Sequence, residues 1–184
     1  MNRIAVLVAA ALALPVASAA ACDQPTSQPF TAWLDYSHYA AVPGGDFESG
    51  SAAWSLHGAT VASGNESFHV AGAGSRSLSI PAGASATSPS FCGGLGYPTV
   101  RLFSKGGGLL GLLHVTVNYT DAGGILRSQP LGLVLPSGAW QPSLPLLSLS
   151  GLPLLTGSSM SVTLTAVLGS FSVDDVYVDP YSKR

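Results

Sequence analysis

Between Leu113 and Thr120 the chain alternates strictly: Leu113, Val115, Val117 and Tyr119 are apolar, while His114, Thr116, Asn118 and Thr120 are polar. A period of two places one set on a buried face and the other in water, the pattern of a half-buried β-strand. Ser161 to Leu168 repeats the design, with Val162, Leu164, Ala166 and Leu168 on one face. Shorter runs at Ala53–His57, Ala59–Ser63, Ser77–Ile80, Thr99–Ser104, Leu131–Leu135 and Trp140–Leu149 predict further strands. Turn signals separate them at Asp121-Ala122-Gly123-Gly124, Pro136-Ser137-Gly138 and Thr156-Gly157-Ser158. No window carries a 3.6-residue stripe, and 22 Gly and 13 Pro spread along the chain oppose helices. The expectation is one all-β domain, an antiparallel sandwich or barrel.

Two irregularities interrupt the alternation. Phe171 and Val173 are apolar at odd positions, whereas Val176 and Val178 are apolar at even ones. One regular strand cannot hold both pairs on one face. The phase changes at Asp174-Asp175, where a β-bulge would reconcile the pairs and re-aim the two carboxylates. The second irregularity, Gly106-Gly107-Gly108-Leu109-Leu110-Gly111, fits the spelling of a phosphate-binding glycine loop. It precedes a strand, so the anion-binding helix N-terminus is missing, and it is expected to be a flexible hairpin loop.

The N-terminus changes the picture of compartment. Asn2 and Arg3 precede an apolar run from Ile4 to Pro15, and Val16 to Ala21 supplies small-residue cleavage frames. These features predict a secretory signal peptide over residues 1–21, with an apolar core too short to span a bilayer. No further transmembrane segment is expected, because Leu144–Leu155 is interrupted by Pro145, Gly151 and Pro153. Export makes a disulfide between Cys22 and Cys92, the two cysteines present, the natural state. Closing the 69-residue loop between them would contribute about 4 kcal/mol. Lipidation of Cys22 fits less well, since Ala19-Ala20-Ala21 lacks a large aliphatic residue three places before it. The nine acids face six bases once Arg3 departs, without the clustered Lys and Arg that nucleic acid requires.

Charge is scarce, at 9% of residues, yet five of the nine acids fall in two short segments. Pro43-Gly44-Gly45-Asp46-Phe47-Glu48 contains two, and Val173-Asp174-Asp175-Val176-Tyr177-Val178-Asp179 contains three. Oxygen ligands for a hard cation are the natural chemistry of such placement. The first motif, Trp54 six residues after Glu48, Ser77-Leu78-Ser79-Ile80, Gly138-Ala139-Trp140 and the closing Asp-Asp-Val together resemble the galactose-binding-like jelly rolls. They look most like the carbohydrate-binding modules that begin Asn-Gly-Xaa-Phe-Glu, with Pro43-Gly44 replacing the usual Asn. The resemblance implies an antiparallel jelly-roll β-sandwich over residues 43–184, preceded by an N-terminal arm at 22–42. It also implies a structural Ca²⁺ held by Glu48 and Asp175, with Asp174 as a further ligand and Asp46 less so.

Sugar faces stack on flat rings and sugar hydroxyls need planar polar partners. Tyr36, Tyr39 and Tyr97, with Arg101 and Asn118 as polar companions, are therefore the candidate ligand-binding residues, Tyr36 and Tyr39 being expected at the surface. Trp54 and Trp140 begin strands and are read as core anchors. No nucleophile elbow or His-Glu-Xaa-Xaa-His zinc motif occurs, so no catalytic residues are assigned. The expectation is a secreted, non-catalytic module, extracellular or in the cell envelope, for a glycan or cell-surface component. The alternatives are a structural or protein-interaction protein using the apolar Leu144–Leu155 segment and, further off, a small hydrolase with an unrecognised site.

Overall fold

The computed structural model describes residues 24–51, 53–93, 99–121, 123–147 and 158–179. In chain order the strands are β1 (Thr26–Ser27), β2 (Tyr39–Ala41), β3 (Ser55–His57), β4 (Thr60–Ser63), β5 (Arg76–Ile80) and β6 (Ser85–Thr87). They continue with β7 (Phe91–Gly93), β8 (Thr99–Thr120), β9 (Leu126–Val134), β10 (Gln141–Pro142), β11 (Leu146–Leu147) and β12 (Ser158–Asp179). One turn of 3₁₀ helix, Thr31–Trp33, is the helical exception among the described residues. The protein is an all-β, antiparallel sandwich, as the alternation predicts.

Two 22-residue strands, β8 and β12, organise everything else. They pair with each other from Met160 opposite Tyr119 to Asp179 opposite Thr99, with register shifts around Leu168. Beyond Leu168 on either side they meet different neighbours. The half containing Leu113–Tyr119 and Met160–Ala166 is flanked by β9 on one edge and by β6 and β7 on the other, with β3 outside β6. The half containing Val100–Lys105 and Phe171–Val178 is flanked by β10 and β11 on one edge and by β5 and β2 on the other. Val100, Leu102 and Val173 from one half share a single buried cluster with Val115, Val117 and Leu164 from the other. The shared strand pair is thus folded over so that its halves form two facing layers.

That geometry corrects two expectations. Gly106–Gly111 is not a hairpin loop: it lies inside β8, at the point where the strand passes from one layer to the other. Glycine is required there by close approach, since a Cβ at Gly106 would stand 2.4 Å from the Pro136 ring. On the partner strand Gly169 has φ +68°, and a Cβ would meet the Leu110 carbonyl at 2.7 Å. Trp140–Leu149 is likewise not one strand. Pro142 and Pro145 supply no N–H, and the described part breaks into β10 and β11 around Ser143.

A second cluster lies on the outside of the layer that holds Val100–Lys105. Phe103 and Tyr177 point outward there, and Phe30 and Tyr39 close over them; all four are buried. Phe30 stacks on Phe103 with ring centroids 5.5 Å apart and meets Tyr39 and Tyr177 edge-on. The N-terminal segment is therefore held on the sheet by aromatic packing as well as by β2 pairing with Tyr177 and Val178.

Candidate functional site

Between the pairs Asp174–Phe103 and Tyr177–Arg101, two residues of β12, Asp175 and Val176, oppose one of β8, Leu102, which is the bulge the phase change predicts. Asp175 adopts φ +48°, a left-handed conformation that Asp tolerates better than most residues. Both carboxylates are buried, and they receive the loop between β4 and β5. The Glu66 N–H donates to Asp174 Oδ2 at 2.9 Å, and the Ala71 N–H donates to Asp175 Oδ2 at 3.1 Å. Glu66, itself wholly buried, accepts from the N–H groups of Phe68 and Val70. Glu48 accepts from Ser75 N–H and Arg76 N–H, each at 2.8 Å. Carboxylate oxygens thus satisfy the loop amides that no strand partner reaches.

The charge this concentrates is unusual. Burial, reinforced by Asp175 and Glu66, pushes Asp174 up to about 8. Burial raises Asp175 to about 6, and the neighbouring Glu66, Asp46 and Glu48 add to the rise. The Ser75 amide holds Glu48 below the usual carboxylate range. Glu48 and Asp175 line one cavity of about 30 Å³ together with Asp46, Asn65 and Gly74. A Cβ at Gly74 would fall 2.1 Å from Asn65 Oδ1 and 2.7 Å from Glu48 Oε1, so the cavity exists because that residue is glycine. Its volume suits a single ion or water, and the carboxylates of Asp46, Glu48 and Asp175 on its wall suit a hard cation. Asp174 does not line it: its oxygens face the Glu66 and Asp175 amides. Among the described residues no three His, Cys, Asp or Glu side chains stand close enough to hold a metal by themselves. Asn65, and backbone carbonyls, would have to complete a shell.

A larger cleft, about 730 Å³, opens beside the aromatic cluster. Arg101 forms its base. Its Nη1 donates to Asp35 Oδ2 at 2.6 Å, its Nε and Nη2 donate to the Ser143 carbonyl at 3.0 and 2.8 Å, and its guanidinium lies 4.0 Å from the Phe30 ring centre. The Tyr39 hydroxyl donates to the same Asp35 oxygen at 2.8 Å. Burial and that carboxylate push the Tyr39 phenol well above its ordinary range. Tyr36, 63% exposed, stands at the rim with Leu34 and Leu144, each 81% exposed. Trp33 and Asp179 complete the walls.

Three of the five ligand-binding candidates, Tyr36, Tyr39 and Arg101, therefore meet in one cleft. Tyr39 is not the surface ring expected: β2 turns it inward against Phe30, leaving only its hydroxyl at the floor. Asn118 lies elsewhere, on the outer face of the opposite layer, bonded to Thr163 and Ser128. Tyr97 lies outside the described residues. Trp54 is in the core, but Trp140 is half-buried against the outer aromatic cluster. Cys92 is not a free thiol, and its expected partner Cys22 lies outside the described residues. Sequence reading missed the parts played by Asp35, Ser143 and Asn65. Asp35 had a signal, since an acid four residues before Tyr39 in a charge-poor chain needs a partner.

No family model matches the sequence, and no curated protein matches it. Solved structures do resemble its fold. The xylan-binding CBM22-1 domain of Paenibacillus barcinonensis Xyn10C aligns at 16% identity and a TM-score of 0.53 over 75% of this chain and 93% of that one. The CBM22-1–GH10 modules of Clostridium thermocellum xylanase 10B, complexed with xylohexaose, align at 15% identity and TM-score 0.54 over 73% of this chain. The enzymatically active domain of bacteriophage CBA120 tailspike protein 4 aligns at 13% identity and TM-score 0.54 over 75% of this chain. The chain spans 21% of the tailspike structure and 27% of the xylanase structure. At such identities the likeness is one of fold, shared by binding modules and an enzymatic domain alike.

Proposed function

We propose that this chain is a secreted, non-catalytic module that binds a glycan in the cleft above Arg101, and that a structural Ca²⁺ sits between Glu48 and Asp175. The cleft carries the reading: an exposed ring, Tyr36, stands over a rigid floor where Asp35, Arg101, Tyr39 and the Ser143 carbonyl fix one another. Stacking on the ring and hydrogen bonding at the floor are what a pyranose requires, and such sites are concave with few, well-placed polar groups. The fold supports it, since one structure of the same architecture is named for xylan binding. Ca²⁺ would offset the charge of Glu48 and Asp175 and tie the β4–β5 loop to β12, with Asn65 and Asp46 at hand as further oxygens.

The test is binding to a panel of soluble neutral polysaccharides (xylan, β-1,4-galactan and mixed-linkage glucan) by affinity electrophoresis and calorimetry. At least one should bind, and Tyr36→Ala should weaken it about fivefold or more, the loss expected for an aromatic contact of ~1 kcal/mol or more. A folded wild type that ignores the whole panel ends the glycan reading. In that case the rim of Leu34, Leu144 and Leu147 favours the second reading, a protein-interaction surface. Leu144→Ser would then abolish partner capture where Tyr36→Ala weakens it only partly.

A further inference from the structure

A second polar surface lies on the same layer, away from the cleft. Thr60 on β4, Ser79 on β5, Ser172 on β12 and Lys105 on β8 are successive register partners. Their strand neighbours Leu78, Ile80, Phe171 and Val173 fill the core, so these four side chains face outward. Continuing the register of Gln141 opposite Ser104 places Trp140 beyond Lys105, and the Lys105 ammonium stands 5.6 Å from the Trp140 ring centre. Three hydroxyls, an ammonium and a half-buried indole therefore form one row. From Thr60 to Lys105 it covers three strand spacings, about 14 Å.

Ser79, Ser172 and Lys105 of this row line a groove of about 360 Å³ whose wall also includes Gly106, Gly107 and Gly108. A Cβ at Gly107 would stand 2.8 Å from Ser170 Oγ, while one at Gly108 would meet nothing within 4 Å. The groove is thus open on one side and kept open by glycine on the other. Its charge differs from that of the cleft. Arg101 already gives its donors to Asp35 and Ser143. Among the described residues the ion pairs are Arg101–Asp35 and Arg127–Asp121, and Lys105 is in neither. The groove therefore presents a cation with no carboxylate partner next to the Ser79 and Ser172 hydroxyls.

We propose that this groove is a separate binding site for an acidic sugar, a uronate residue whose ring lies over the glycine wall of Gly107 and Gly108 and whose carboxylate meets Lys105. Ser79 and Ser172 exchange hydrogen bonds with its hydroxyls. The site is independent of the cleft, so the two can fail separately.

The test measures binding of tetragalacturonate and of its fully methyl-esterified counterpart to the whole chain at low ionic strength. The acid should bind about fivefold more tightly than the ester, the scale of a partly exposed ion pair. Raising salt to about 0.5 M should shrink the difference, because exposed charges are screened. Lys105→Gln should erase the preference, Lys105→Arg should keep it, and Tyr36→Ala in the cleft should leave it unchanged. Thermal melts of the Lys105 variants check that the fold survives, as an exposed side chain predicts. No binding of the acid, equal affinity for acid and ester, or a preference that persists in Lys105→Gln would each overturn the assignment. None of these results bears on neutral-glycan binding at Tyr36.

Discussion

Replacing Asp175 by Asn should make the cation-free protein more stable at neutral pH. Asp175 is 5% exposed and its proton affinity is raised from 3.8 to about 6. In the unfolded chain an aspartate titrates near ~3.9. Below about pH 4 both states hold the proton and no penalty arises. Between there and about pH 6 the unfolded chain has released its proton while the folded one retains it, so stability falls as pH rises. Two pK units at ~1.4 kcal/mol each give a loss of about 3 kcal/mol by pH 7. Asn removes that charge, retains an oxygen for the Ala71 N–H, and tolerates the left-handed backbone at this position. In chelator, urea unfolding at pH 7.5 should therefore place Asp175→Asn roughly 3 kcal/mol above wild type, and the two should converge near pH 4. Ca²⁺ should invert the order at pH 7.5. Wild type gains RT ln(1 + [L]/Kd), about 4 kcal/mol at a thousandfold excess over Kd, and the variant gains little. A variant less stable than wild type in chelator would refute the burial argument. Equal responses of the two proteins to Ca²⁺ would remove the cation from the site.

Gly169→Ala should destabilise the protein by about 2 kcal/mol or more in the same urea assay, because it combines a left-handed backbone with a clash on the Leu110 carbonyl. A neutral result would mean the fold-over point of β12 is soft. The Cys22–Cys92 pairing should appear as a two-proton mass difference on reduction, with alkylation of both residues only afterwards; free thiols in the exported protein would refute it.

The layers of this fold were legible in the sequence wherever one face of a strand is wet, because burial then writes a period of two. Leu113–Thr120 and Ser161–Ala166 are such stretches, whereas Leu168, expected on the buried face, is 51% exposed because the register shifts after Ala166. The bulge at Asp174-Asp175 was legible for the same reason, as a change of phase. What alternation does not carry is where a strand crosses between layers. Gly106–Gly111 reads as a loop because glycine signals turns, yet Gly106 and Gly111 answer to Pro136 and Phe171 packed against the backbone. The cleft was half legible. Tyr36 and Arg101 are legible as chemistry, but Tyr39 reads as a surface ring because its burial depends on Phe30, nine residues earlier, folding back across the sheet. Asn65 and Glu66 acquire their roles from contacts with Gly74 and with Asp174, the latter 108 residues away, which no local pattern records.

The position of β12 sets the order in which this architecture can be completed. It pairs with β2, β5, β6, β7 and β8, so each of these strands awaits a partner that follows it. During synthesis from the N-terminus, β2 to β7 emerge without the strand that joins them, and neither layer has its centre until residues 158–179 arrive. Strand pairing across such separations is slow, because the loops must close before any contact rewards them. A nascent chain halted before Ser158 would hold unpaired edges in both layers and an incomplete core, the condition in which β-proteins associate with one another.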